Sequence, residues 1–163
     1  MKKTLTCLFI VCSLFTSQAQ DDVFQRKGSI LLETGYNLIA GVFSGSGASI
    51  FLQDGETVTS IGADMGYFLS EDFALKFKLS IISGNGTLTN IGAGGKYYIG
   101  GVAPIEGSLG LLTGQGLDAF VGNVGIGYAA VLAPNIYLEP SIGLFVIDGD
   151  SAVNIRIMFA MIL

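Results

Sequence analysis

At 163 residues the chain has room for one domain, and a formal net charge of -5, with 13% charged residues and no basic arm, gives no sign of a nucleic-acid partner. The absence of His removes the usual general base of lipase, deacylase and protease sites. A mean hydropathy of +0.63 beside 24 glycines does not fit a soluble globule: so apolar a chain either builds a large core or faces lipid, and glycine builds little core.

The chain opens with Lys2 and Lys3, an apolar run from Leu5 to Phe15, and Ser17-Gln18-Ala19, the pattern of a secretory signal peptide over residues 1–19 with cleavage before Gln20. Cys12 fits a lipoprotein cysteine poorly because its neighbours are bulky. Cys7 and Cys12 both fall in this leader, so the exported chain carries no disulfide, thiolate metal site or cysteine nucleophile. Without Lys2 and Lys3, six basic residues face thirteen acidic ones, a net charge of -7. Nothing beyond residue 20 approaches the roughly 18 uninterrupted apolar residues of a membrane-spanning helix.

A short polar lead-in, residues 20–27, would lie in the periplasm, and residues 28–163 then alternate apolar and polar positions with period two, punctuated by Gly, Asn, Asp, Ser and Pro. This predicts eight strands, over residues 28–39, 57–69, 73–83, 87–99, 103–112, 118–132, 136–147 and 152–163. Lengths of about 9 to 13 residues suit tilted strands crossing a bilayer. Residues 40–56 are rich in Gly and Ser and read as a loop, although Ser49 to Gln53 could extend the neighbouring hairpin as a ninth strand. The tight connections at 69–72, 100–102 and 133–135 alternate with those at 40–56, 83–86, 113–116 and 148–151, as in a meander with the first set in the periplasm and the second outside.

The two faces of each strand differ sharply. In residues 73–81, Phe73, Leu75, Phe77, Leu79 and Ile81 share one parity, and Lys76 and Lys78 fall on the other. Along the chain the second parity collects Glu33, Asp64, Lys76, Lys78, Lys96, Glu106, Glu139 and Arg156, four acids and four bases, together with many glycines. Balanced charge with glycine relief suits a cramped interior. Counting from the tight turns sets Asp64 opposite Lys78 and Lys96 opposite Glu106, while Arg156 could reach Glu139 on one side and, if the sheet closes, Glu33 on the other. The apolar parity would overfill an eight-stranded interior and therefore turns to lipid. Tyr67, Phe73, Tyr97 and Phe159 form an interfacial girdle at the periplasmic ends, with Phe43 and Phe120 a thinner one opposite.

The stretches "SQAQ", "KGSILLETGY", "GYFLSEDFAL" and "GGKYYIGGVAPIEGSLGL", with a last strand running to the C-terminus, carry a family likeness. Over residues 27–163 the chain resembles the small OmpA/OmpX-like outer-membrane β-barrels, especially those of Bacteroidetes. The resemblance implies an all-β fold, an eight-stranded antiparallel up-and-down transmembrane barrel in the cell outer membrane of a Gram-negative bacterium. It also implies recognition of "VNIRIMFAMIL" by the barrel insertion machinery, although such strands usually finish on an aromatic residue and this one ends on Leu163.

No catalytic, cofactor-binding or metal site is expected, and the protein is read as a monomer without enzymatic activity or cofactor. Carboxylate pairs such as Glu33 with Asp64 read as neutralised core partners because four bases share their face. Gly92-Ala93-Gly94-Gly95 precedes no helix and is no phosphate loop, and Asp148-Gly149-Asp150-Ser151 reads as a hairpin turn, lacking the further ligands of a calcium loop. Asp54, Glu56 and Asp118 make the outer rim acidic, a solvated edge or one bridged by divalent cations to lipopolysaccharide. The expected role is structural or accessory, in contact with outer-membrane lipid and lipopolysaccharide, around a plugged, salt-bridged interior. The alternatives are a narrow pore for ions or small solutes and a soluble, lipocalin-like carrier of an apolar ligand.

Overall fold

The computed structural model describes residues 27–37, 47–53 and 56–163. The expected leader, its cleavage site, most of the lead-in, Phe43 and Asp54 lie outside the described residues. Among the described residues, ten strand segments form one antiparallel sheet: β1 (Ile30–Asn37), β2 (Gly47–Gln53), β3 (Glu56–Phe68), β4 (Phe73–Ser83), β5 (Thr87–Ile99), β6 (Ala103–Gly114), β7 (Leu117–Gly127), β8 (Ala130–Ala133), β9 (Ile136–Ile147) and β10 (Asp150–Ile162). The ten segments occupy eight lanes. β1 and β2 share one, because both pair with the same edge of β3: Ile30 to Glu33 oppose Tyr67 to Asp64, and Gly47 to Gln53 oppose Gly62 to Glu56. Residues 49–53 thus belong to a strand, but it continues the first lane and adds no ninth. The sheet closes where β1 meets β10, from Leu31↔Ile162 to Asn37↔Arg156.

β7 and β8 form the other shared lane, where the sequence predicts one unbroken strand over 118–132. Both follow one register along β9 as far as Val131, with Gly127 opposite Ser141 and Ala130 opposite Leu138, before a bulge sets Ala133 opposite Ile136. The break at Tyr128 and Ala129 faces Pro140, which has no N–H to give the ladder. Tyr128 N still donates to Pro140 O at 3.0 Å, while Ala129 N turns to Val102 O at 2.8 Å.

Short turns fix the registers. Gln115-Gly116 and Asp148-Gly149 are two-residue hairpins with positive φ at both positions (53° and 78°, 47° and 97°), matching the twist of the strands they join. Oriented with its oxygen inward, the Gln115 carboxamide accepts from Thr87 N at 2.7 Å and Gly86 N at 3.2 Å, clasping neighbouring hairpins together. Within the wall, a Cβ added to Gly110 would lie 2.8 Å from Ile91 O and 3.0 Å from Asn90 Oδ1, so only glycine allows β5 and β6 this approach.

The pleat then sorts the side chains. Ile61, Met65, Phe77, Leu79, Ile91, Leu109, Val124, Ile142, Leu144 and Val153 are exposed on the outer face, and Tyr67, Tyr97 and Phe159 stand exposed near one end. Phe73 is half-buried, its ring lying over Gly95.

Candidate functional site, an ionic core between two apolar clusters

Every strand that carries an inward charge delivers it to mid-lumen. Glu33, Asp64, Lys76, Lys96, Glu106, Glu139 and Arg156 are buried, and Lys78 is half-buried. In water such groups would be solvated separately; out of water each must find an opposite charge. The structure joins all eight into one connected set. Lys76 pairs with Glu33, with Asp64 at 3.4 Å and with Glu106 at 3.0 Å; Lys78 lies 3.6 Å from Asp64; Lys96 bridges Glu33 and Glu139; and Arg156 Nη2 sits 2.5 Å from Glu106 Oε1.

Neutral groups extend the set. Tyr98 O–H donates to Glu139 Oε1 at 2.9 Å, Asn123 Nδ2 donates to Glu106 Oε1 at 3.0 Å, and Asn154 Nδ2 donates to Asn123 Oδ1 at 2.9 Å. Asn123 and Asn154 were not among the residues expected here. Their signal is the parity they share with Gly125 and Arg156 on their strands.

The backbone registers Asp64↔Lys78 and Lys96↔Glu106 both occur, but register does not decide every ion pair. Lys96 passes over Glu106 to Glu33 and Glu139, and Arg156 pairs with Glu106 rather than with Glu139 or Glu33. In so narrow a barrel, long side chains reach across the axis, and strand stagger brings non-neighbouring strands to one height.

Apolar clusters lie inside the barrel toward both ends. Toward the 69–72, 100–102 and 134–135 turns, Leu31, Phe68, Ala74, Tyr98, Tyr137 and Ile162 form one buried cluster, with the Phe68 and Tyr98 rings stacked at 6.0 Å. Toward the opposite end Ile82, Leu112, Ala119, Val121 and Phe145 form another. Three cavities beside the ionic set measure about 10 Å³ each, room for about one water apiece. Among the described residues no group of His, Cys, Asp and Glu is arranged to hold a metal ion.

The direct cross-strand pair gives a test of this geometry. Lys78→Glu, which sets a like charge opposite Asp64, is expected to lower the unfolding free energy, and adding Asp64→Lys to restore part of it, with a coupling of about 0.5–3 kcal/mol. Urea titration of the refolded single and double variants reads both; a double variant no better than Lys78→Glu contradicts the pairing.

Closure, strand count and an inward ionic face define the class: a closed, eight-stranded antiparallel up-and-down β-barrel. Among solved structures it is similar to the N-terminal β-barrel domain of Pseudomonas aeruginosa OprF, at 17% identity over 85% of this chain and 100% of that one, with a TM-score of 0.52. The Yersinia pestis outer membrane protein Ail, in a phospholipid bilayer nanodisc, aligns at 12% identity over 83% of this chain and 99% of that one, with a TM-score of 0.49. No family of known proteins and no curated relative matches the sequence.

Proposed function

We propose that the protein is a monomeric, plugged barrel of the Gram-negative outer membrane, of the group common in Bacteroidetes, with a structural or accessory role in contact with membrane lipid and lipopolysaccharide. The observation that carries this reading is the outer face: a belt of exposed Ile, Leu, Val and Phe around the wall, with the charges of the same strands drawn into the lumen. In water such a belt would be a large aggregation surface; against acyl chains it is matched. The short turns at 69–72, 100–102 and 134–135 face the periplasm, and the last strand carries the insertion signal.

The apolar clusters at both ends favour a plug over a pore. Refolded protein in a planar bilayer is expected to give no steady unitary conductance, and to migrate differently on gels before and after heating. Reproducible unitary steps would replace the plug with a pore, and protein that stays soluble without detergent would replace the membrane reading with an apolar-ligand carrier.

A further inference from the structure

The outer wall is not uniformly covered. Across β6, β7 and β9 it carries an open groove of about 780 Å³, floored by Gly122 and walled by Leu109, Phe120, Val124 and Val146, within the size range of small-ligand sites. Leu109 and Phe120 stand out from the wall, 76% and 74% exposed, and deepen it. Packing does not demand glycine at its floor. Unlike at Gly110, a Cβ added to Gly122 would meet ordinary contacts, 3.5 Å from Leu109 Cδ2 and 3.9 Å from Val146 Cβ. The groove runs up to a charged rim. Asp148 lines its upper end, its Oδ1 held at 2.9 Å by Phe120 N, and Asp118 stands on the same face two residues above Phe120. Asp150 follows in the same hairpin, and the wall's basic residues Lys76, Lys78, Lys96 and Arg156 are turned into the lumen.

We propose that this groove holds an acyl chain of an amine-bearing lipid, with the headgroup ammonium on the Asp118 and Asp148 carboxylates. The inference rests on the membrane reading above. An apolar trough continuous with the lipid-facing belt selects a hydrocarbon chain, and a rim of carboxylates, with no outward base beside it among the described residues, selects a cationic end group over an anionic one and, through N–H donation to the carboxylates, a primary ammonium over a quaternary one. Filling the trough excludes the chain, whereas neutralising the rim removes only the headgroup preference.

The test uses the full chain refolded into vesicles of phosphatidylethanolamine and phosphatidylcholine with matched acyl chains, extracted in mild detergent and weighed intact by mass spectrometry. Wild type is expected to retain one phosphatidylethanolamine, enriched several-fold over phosphatidylcholine. Gly122→Leu is expected to lose the bound lipid, Gly122→Ala to retain less, and the pair Asp118→Asn with Asp148→Asn to retain lipid without preference. Equal retention of both lipids by wild type, retention unchanged in Gly122→Leu, or a dimer mass that Gly122→Leu abolishes would each overturn the proposal; the last would place a second copy in the groove. The heat-modifiable band in the same preparations separates the two readings. Insertion without selective lipid sinks the groove alone, and failure to insert sinks the membrane assignment.

Discussion

Lys96→Met is expected to cost the barrel about 3–5 kcal/mol of unfolding free energy, the range for removing one partner from a buried ion pair. Lys96 is 2% exposed and holds two carboxylates at once, Glu33 from β1 and Glu139 from β9. Without it, Glu33 still has Lys76, whereas Glu139 keeps only the hydroxyl of Tyr98 among its partners described above. Glu139→Gln in the same chain is therefore expected to recover part of the loss, because the amide oxygen still accepts from Tyr98 and carries no charge. Equilibrium urea unfolding of refolded protein measures both. A Lys96→Met variant within about 0.5 kcal/mol of wild type, the range of an ordinary surface change, would mean that the eight charges are solvated rather than joined.

The second large effect lies on the opposite face. Leu79 is exposed in the middle of β4, opposite Ala63 and Ile91. An arginine there is expected to cost about 2–4 kcal/mol in a bilayer, whereas the same residue at Ser151, exposed beside the β9–β10 turn, costs about 0–1. Unfolding free energies of Leu79→Arg and Ser151→Arg in lipid vesicles give the comparison. Equal, small costs would mean that water, not hydrocarbon, surrounds the outer wall. Lys96→Met probes the lumen and Leu79→Arg the wall, so the two results bear on separate halves of the inside-out arrangement.

The strands from residue 57 onward were legible because three physical signals coincide: period-two alternation, turn residues at short spacing, and lengths suited to a bilayer. Tight turns fix register, so counting across them set Asp64 against Lys78 and Lys96 against Glu106. The destinations of Lys96 and Arg156 were not legible. They depend on how the closed sheet staggers strands distant in sequence, and no local pattern encodes that. The inward apolar clusters had a readable signal that parity counting passed over: Leu31, Phe68, Leu112, Val121 and Phe145 share the parity of the charges but sit near strand ends. Pro140 likewise announced a gap in the neighbouring ladder, and the break at residues 128–129 lies beside it. The division of the first lane between β1 and β2 had one cue, the Asp54-Gly55 dipeptide between Gln53 and Glu56, which pair across the β2–β3 connection, but the Gly- and Ser-rich stretch before it lacks strict alternation.

The Arg156 to Glu106 pair has a bearing on assembly. Its two members come from β10 and β6, and the cation rides on the final staple of the cylinder. Without β10, the remaining strands hold four of these anions and three of the cations, and Glu106 lacks its guanidinium. Charge neutrality is thus a property of the finished ring alone, and a chain cut short before Arg156 is left with a surplus carboxylate that no earlier strand can cancel.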